Sequence, residues 1–403
     1  MSTASNAVSG SYTLHHGNAR QLLQQYPDSH FDSLVADGPY ELGFMGRAWD
    51  RSGIVNDPAF WAECLRVLKP GAHLVNFSHA RTYHRMACAV EDAGFELRDQ
   101  LMWLYGSGFP KSKNLAGDWD GWGTALKPAH EPIVLARKPL EKGLTVADNV
   151  AKWGTGALHI DACRVNPGEF TKTGGRSSRG HGGVYGDGMA PSGFEAHDNG
   201  RWPANLLHDG SAAVLAGFPD EAGARAAVLG TEPSSSSKMG PHVYDGGQMR
   251  NQARERRDDL GSAARFFYCA KASRADRNEG LPSYDAPAVG SNATMGQRER
   301  ADWPARNGNH HPTVKPTRLM RWLCRLITPP SGRIVDPFAG SGSTGKAGLL
   351  EGFDVVLMEL QAEHLPLITG RCDHALDVRR RYLAQLARQA RIGTQTTLFS
   401  LAS

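Results

Sequence analysis

The chain has 403 residues, of which 40% are hydrophobic and 21% charged, and its formal net charge is +4. This is ordinary globular usage, which excludes wholesale disorder, and the length suffices for a sizeable core in roughly two to three domain-sized units. No apolar run approaches the roughly 18 residues that span a bilayer. The opening segment MSTASNAVSG has neither a basic nor an apolar stretch, so no secretory signal is expected. The six cysteines, at 64, 88, 163, 269, 324 and 372, form no CxxC pair. Such spacing suits buried thiols in a reducing compartment better than a zinc cluster or a disulfide framework.

The first 140 residues alternate between strand and helix signals. FDSLVA (31–36) is an apolar strand that runs into the turn Asp37-Gly38-Pro39-Tyr40. Asp57 and Pro58 form a helix start. Trp61, Leu65 and Leu68 share one face of that helix, and Gly71 is expected to end it. AHLVNFS (72–78) is the next strand. A helix carrying Tyr83, Met86, Ala87 and Val90 closes at Gly94, and 97–108 and 131–139 are further strands. This alternation predicts a largely parallel α/β sheet.

The texture changes at about 141. Residues 171–200 contain nine glycines, and loose stretches follow at 234–237 and 254–259. Such density predicts long loops rather than packed elements, so 141–300 is expected to be an insert or second domain. Residues 250–325 hold 15 Lys+Arg against 8 Asp+Glu, which raises the odds of a polyanionic partner. After 300 the α/β pattern returns. A helix opens at Pro316 with Leu319, Trp322, Leu323, Leu326 and Ile327 at helical spacing. RIVDPF (333–338) is a strand, AGSGSTGKAGLL a glycine turn into a helix, FDVVLMEL (353–360) a strand, and 374–392 a basic surface helix. The organisation expected is 1–140, an insert 141–300, and 301–403, with one sheet assembled from both chain ends.

Three chemistries use a glycine turn between a strand and a helix, where backbone N–H groups can approach a ligand closely. Gly340, Gly345 and Lys346 fit a P-loop, but Ala347 stands where Ser or Thr would bind magnesium. Gly340, Gly342 and Gly345, with Glu359 about 20 residues on, fit a dinucleotide turn. The third chemistry is S-adenosylmethionine binding, which Asp336-Pro337 at the strand end favours. The acidic turn at 37–40 can serve an exocyclic amine. Asp37 and nearby backbone carbonyls accept its hydrogen bonds, Tyr40 offers a stacking face, and orientation plus electrostatics favour a free nitrogen lone pair. Phe44 and Trp49 are candidates to line such a crevice. His310-His311 has no carboxylate at ligand spacing, so no metal is expected.

With both turns quoted, the sequence resembles the amino-specific DNA methyltransferases (N6-adenine or N4-cytosine) whose catalytic motif precedes the cofactor motif. Asp37-Gly38-Pro39-Tyr40 is similar to their (Asp/Asn/Ser)-Pro-Pro-(Tyr/Phe) motif, Asp336 to Thr344 to their cofactor motif, and His311-Pro312-Thr313-Val314-Lys315-Pro316 to the segment just before it. The resemblance implies a Rossmann-like methyltransferase fold and S-adenosyl-L-methionine as cofactor. It implies Asp37, Pro39 and Tyr40 as catalytic. Cofactor contacts follow from Asp336, Phe338, Gly340, Ser341, Gly342, Thr344, Glu359, Thr313, Lys315 and Asn18. Asn18 stands where the family more often has Asp. Gly38 replaces a proline, which predicts a less rigid turn. Asp in the first motif position tilts the target to adenine N6 over cytosine N4, and no Pro-Cys dipeptide supports C5 chemistry. The substrate implied is flipped duplex DNA, with phosphate contacts from Lys111, Arg254, Arg256, Arg257, Lys271 and Arg274. The resemblance also suggests a cytoplasmic enzyme of restriction-modification type and allows a homodimer. Other readings stay open: a nicotinamide-dependent oxidoreductase, an inactive DNA-binding relative, or action on RNA or protein.

Overall fold

The computed structural model describes residues 10–43, 48–106, 108, 112–165, 200–220, 262–270, 273–282, 309 and 311–400; the side chains of Ala48, Arg274 and 391–400 are excepted. Among these residues nine strands form one sheet. They are β1 Tyr12–His16, β2 Phe31–Ala36, β3 Leu68–Phe77, β4 Glu96–Leu104, β5 His130–Arg137, β6 Leu206–His208, β7 Tyr268–Cys269, β8 Arg333–Asp336 and β9 Asp354–Glu359. Their order across the sheet is β1-β9-β8-β2-β3-β5-β4-β6-β7. Only β5 runs antiparallel to its neighbours. The fold is the expected mixed, mostly parallel α/β sheet, and the two chain ends interleave. Strands β8 and β9 from the C-terminal part are wedged between β1 and β2 from the N-terminal part.

The side chains of the central strands alternate between two apolar layers, as the pleat requires. Val35, Ile334, Val355 and Leu357 face a core with the helix Thr317–Ile327, including Trp322 and Leu323. Leu34, Ala36, Val335, Val356 and Met358 face a second core with Phe60, Trp61 and Cys64 of the helix Pro58–Val67 and with Met86 and Val90 of the helix Tyr83–Asp92. The cysteines at 64, 163, 324 and 372 are buried thiols.

Several elements differ from the sequence expectation. The helix that starts at Pro58 ends at Val67, and β3 begins at once, so Gly71 lies within the strand and does not stop the helix. The stop comes earlier because Pro70 disfavours helical geometry at Lys69. Strands β1, β6 and β7 lack a clear local signal: β1 is half-buried with weak alternation, and β6 and β7 have three and two residues. The insert 141–300 therefore contributes two strands to the same sheet. The last helix is Leu365–Ser400, longer at both ends than 374–392. No helix among the described residues is long and apolar enough to cross a membrane.

Trp322 is 1% exposed, donates from Nε1 to the Cys163 carbonyl at 3.0 Å, and stacks on Tyr268. It thus clamps the insert onto the C-terminal half. Trp322→Ala should cost about 3–5 kcal/mol of stability in urea denaturation. A loss below about 1 kcal/mol would show that this contact contributes little.

Candidate active site

Strand order reverses between β8 and β2: from β8 the chain proceeds to β9 on one side, and from β2 to β3 on the other. Ligands of open α/β sheets bind in the crevice beyond the strand ends at such a switch point. β2 and β8 are parallel neighbours, with Leu34 beside Val335. The turn 37–40 and the turn 336–344 therefore leave the same edge side by side. Gly38 lies against Phe338, which in turn packs on Phe60 with ring centroids 5.3 Å apart.

The turn at 37–40 is fixed by residues outside the motif. Asp50, 1% exposed, accepts from the backbone N–H groups of Tyr40, Glu41 and Leu42 at 2.7, 3.0 and 3.2 Å. Gly38 N–H donates to Asn76 Oδ1 at 3.2 Å, and a Cβ at Gly38 would stand 3.0 Å from that oxygen and 3.1 Å from Val55 Cγ1. The turn expected to be less rigid is thus bonded from outside the motif, by Asp50 and Asn76. A proline has no N–H to give Asn76, and its Cβ would already press on Val55 and Phe338, so glycine and a buried asparagine together hold the backbone.

Asp37 does not stand alone. Lys315, 4% exposed, places Nζ 2.8 Å from Asp37 Oδ2, 3.0 Å from Tyr40 Oη and 3.3 Å from Glu131 Oε2. The Tyr40 hydroxyl is 3.0 Å from Glu131 Oε2 and 3.2 Å from Asp37 Oδ1. Burial, then the charges of Asp37 and Glu131, lift the Tyr40 pKa well above its ordinary value. Burial opposes the charge on Lys315, but Asp37 and Glu131 outweigh it and raise its pKa. The structure therefore directs the Lys315 side chain to the catalytic motif, where the resemblance had implied a cofactor contact. Pro39 is half-buried between these groups in sequence.

On the β8 side, Asp336 is 1% exposed and accepts from Phe338 N at 2.9 Å. Burial pushes its carboxyl up to about 7, against hydrogen bonds from Thr344 and Phe338, with Asp37 and Glu359 adding to the rise. Gly340 and Gly342 have φ of +48° and +75°; a Cβ would meet His311 Nε2 or Ile368 Cα at 3.0 Å. Only glycine fits both places. Glu359 accepts from Gly340 N and Gln361 N, each at 2.7 Å, and lies 3.3 Å from His364 Nδ1. Burial disfavours its charge, but these three partners prevail and its pKa falls. Ser341 is turned inward: its hydroxyl meets Ser343 at 2.8 Å, and its carbonyl accepts from the buried Arg371. His311 contacts Thr313 O through Nδ1 at 2.8 Å and stacks on Trp49, and burial followed by the His364 charge lowers its pKa to about 4. Trp49 thus borders the crevice. Asn18, just past β1, accepts from Arg20 N at 2.9 Å through Oδ1 as a helix cap, and the second lone pair of that oxygen is left for another donor.

Two rival readings of the glycine turn lose their footing. Lys346 points to Glu279 Oε2 at 2.7 Å, away from the turn, as no P-loop lysine would. Gly340 N is spent on Glu359 and Gly342 N on Ala339 O at 2.7 Å, so neither is aimed at a pyrophosphate. Sequence reasoning missed Asp50, Asn76, Glu131, His364 and Arg371, which belong to no motif. Phe44, Lys111, Arg254, Arg256, Arg257 and Lys271, like the Arg274 side chain, lie outside the described residues.

A buried ammonium shared by Asp37 and Glu131 thus lies where a Pro-Tyr turn leaves one strand, next to the glycine turn that leaves its parallel neighbour and is bonded to Glu359. The DNA methylase family model for N6 and N4 enzymes matches residues 31–370. The chain belongs to this family, whose methyl donor is S-adenosyl-L-methionine. It is 34% identical over 108 residues to the type II methyltransferase M.HindIII of Haemophilus influenzae, covering 24% of this chain and 35% of that protein. It is 32% identical over 66 residues to the DNA adenine methyltransferase YhdJ of Escherichia coli, covering 16% and 22%. The chain thus spans about a third or less of the length of these relatives. Among solved structures, the cytosine-N4-specific PvuII DNA methyltransferase matches with 13% identity, a TM-score of 0.43 and 94% of both chains covered.

Gly38→Pro makes the motif more like the family pattern and should nevertheless damage this protein. It removes the bond to Asn76 and strands a buried amide oxygen, at a cost of about 1–3 kcal/mol in denaturant unfolding. A variant as stable as the parent would contradict the role given to Asn76.

Proposed function

We propose that the protein transfers a methyl group from S-adenosyl-L-methionine to the exocyclic amine of a base in duplex DNA, with adenine N6 as the target. The observation that carries this reading is the adjacency of the Asp37 and Asp336 turns at one switch point. The acidic lining fits a cationic donor. Asp336, buried and half-protonated near neutrality, suits the donor's ammonium group; Glu359, at the end of β9, suits its ribose hydroxyls. Gly340, Gly342, Thr313 and Thr344 border the same place, with Phe338 as the packed wall between the two turns.

When bound, the cofactor would supply an electrophilic methyl on a sulfonium: the amine lone pair would form the N–C bond, the C–S electrons would stay on sulfur, and the proton lost by nitrogen would pass to the Asp37 carboxylate or through it to water. The protein orients the amine. Asp37 accepts one N–H, and backbone carbonyls of the 38–39 turn are suited to the other, which favours a nitrogen whose lone pair is no longer shared with the ring. Asp50 and Asn76 keep this backbone from yielding. The base must leave the helical stack to reach the crevice, and the Tyr40 ring and Trp49 are the aromatic surfaces at hand. Lys111, Arg254, Arg256, Arg257, Lys271 and Arg274 are proposed phosphate contacts, to be seen as a salt-dependent affinity.

The preference for adenine rests on Asp37 in the first motif position and is supported by the likeness to an adenine methyltransferase. Cytosine N4 is the alternative within the same chemistry. A cytoplasmic setting and a restriction partner belong to the same proposal.

Asp37→Ala should lower tritiated methyl incorporation into unmethylated DNA by at least ~100-fold, while calorimetry finds cofactor affinity retained. Full activity in that variant would overturn the assignment of Asp37. Modification-sensitive sequencing of genomic DNA from expressing cells identifies the base.

The carboxyl of Asp336 also sets a pH dependence. Its pKa in the folded protein is raised to about 7, so the free protein holds a proton there in mildly acidic solution. An ammonium group favours the ionised form, so binding must release that proton. Cofactor affinity should therefore climb as pH rises through about 7 and level off above it. Asp336→Asn should flatten the curve. A dissociation constant unchanged between about pH 6 and 8 in the parent protein would contradict the contact.

A further inference from the structure

Glu131 stands at the start of β5, the one strand that runs against the rest. An antiparallel strand begins where its parallel neighbours end. Glu131 therefore reaches the switch-point edge from the opposite direction to Asp37, and the two carboxylates face each other across Lys315. The ammonium donates to Asp37 at 2.8 Å and to Tyr40 Oη at 3.0 Å, and pairs with the Glu131 carboxylate at 3.3 Å. Its nitrogen also lies 4.7 Å from the Phe77 ring centre and 5.3 Å from that of Tyr40.

This arrangement raises a difficulty for the reaction proposed above. Asp37 Oδ2 is an acceptor the target amine needs, and an ammonium already sits on it. A carboxylate neutralised by a lysine attracts an amine N–H weakly. A second carboxylate within reach of the same ammonium solves the conflict, because the charge can shift between two acids without leaving the pocket.

We propose that Glu131 is a positioning residue for methyl transfer: it takes over the Lys315 ammonium when the exocyclic amine of the target base takes its place on Asp37. The inference rests on the methyltransferase reading and adds to it a residue that no motif marks. Lys315 is then the placeholder for the amine, and Tyr40, whose hydroxyl reaches both acids, is the hinge about which the bonds exchange.

The charged and titratable groups that face this centre come from several elements, His79 after β3 among them, its ring centre 6.4 Å from that of Tyr40. Asp37 and Tyr40 lie in the turn after β2, Glu131 in β5, Tyr105 after β4, and Asp336 and His311 adjoin Asp37 from the β8 side. Burial first and the carboxylate charges second keep Tyr40 protonated, and burial with Glu131 pushes Tyr105 up to about 12. Asp336 titrates in both parent and variant, so the informative quantity is the ratio of their rates at each pH.

The test uses Glu131→Gln, Lys315→Met and the double variant in the full chain, with single-turnover methyl transfer to DNA as the readout. Glutamine keeps the shape and the Tyr40 contact but gives up the charge. Glu131→Gln should slow transfer by roughly 10-fold to 100-fold, with cofactor affinity and melting temperature unchanged. Its deficit should shrink as pH rises, because Lys315 facing one carboxylate instead of two gives up its proton more easily and releases Asp37. Adding Lys315→Met to Glu131→Gln should restore part of the rate, so the double variant outruns the Glu131→Gln single. A purely structural role predicts neither recovery. Losses that simply add in the double variant, or a rate ratio flat with pH, overturn the exchange while leaving the methyltransferase reading intact. Absence of methyl transfer by the parent protein overturns both.

Discussion

The constraint on which the rest of the structure depends is the hydrogen-bonded pairing of β2 with β8, two short parallel strands separated by some three hundred residues of chain. Ser33 pairs with Ile334 and Leu34 with Val335. Only because these strands are neighbours do Asp37 and Asp336 emerge at one edge. The pairing is secured on both faces, by Val35 and Ile334 in one core and by Leu34 and Val335 in the other. Below it, Asp32 accepts from Arg333 N at 2.7 Å and pairs with Lys69 at 2.5 Å. A long insert is tolerable in such a fold because loop-closure entropy grows only slowly with length.

Charge explains the remainder. Four carboxylates crowd the strand ends, and burying them is costly unless each has partners. The protein answers differently at each. Glu359 is held ionised by two backbone N–H groups and His364. Asp37 and Glu131 share Lys315. Asp336 has hydrogen bonds but no cation, and its pKa rises. The crevice is thus short of positive charge at one place, which is where a cationic donor is expected to settle. The glycine turn is bent for close approach, yet its own N–H groups at 340 and 342 are committed internally. That combination suits a ligand recognised through acids more than one recognised through a phosphate.

Much of this was legible in the chain. The strand FDSLVA, the Asp57-Pro58 helix start, and the strand-turn-helix from Arg333 to Glu351 all follow from apolar runs, caps and glycines. The order of the two motifs carried the family. What stayed hidden depends on distance or direction. No local pattern says that β5 runs backwards, so Glu131 looks like one more residue of a buried strand. Asp50 and Asn76 matter only through hydrogen bonds to a turn elsewhere. Lys315 belongs to a legible motif, but its partner is 278 residues away in sequence, and Lys346 resembled a phosphate ligand until Glu279 appeared beside it. Strands β6 and β7 are too short for periodicity to register.

The most direct measurement of the central idea, that one crevice between β2 and β8 holds both the donor and the amine, is a crystal structure of the protein with a non-reactive analogue of the cofactor and a DNA duplex. The account predicts the analogue's amino-acid end on the 336–344 turn and an extruded base whose amine meets Asp37. An analogue bound elsewhere, or a base lodged away from Asp37, would contradict it.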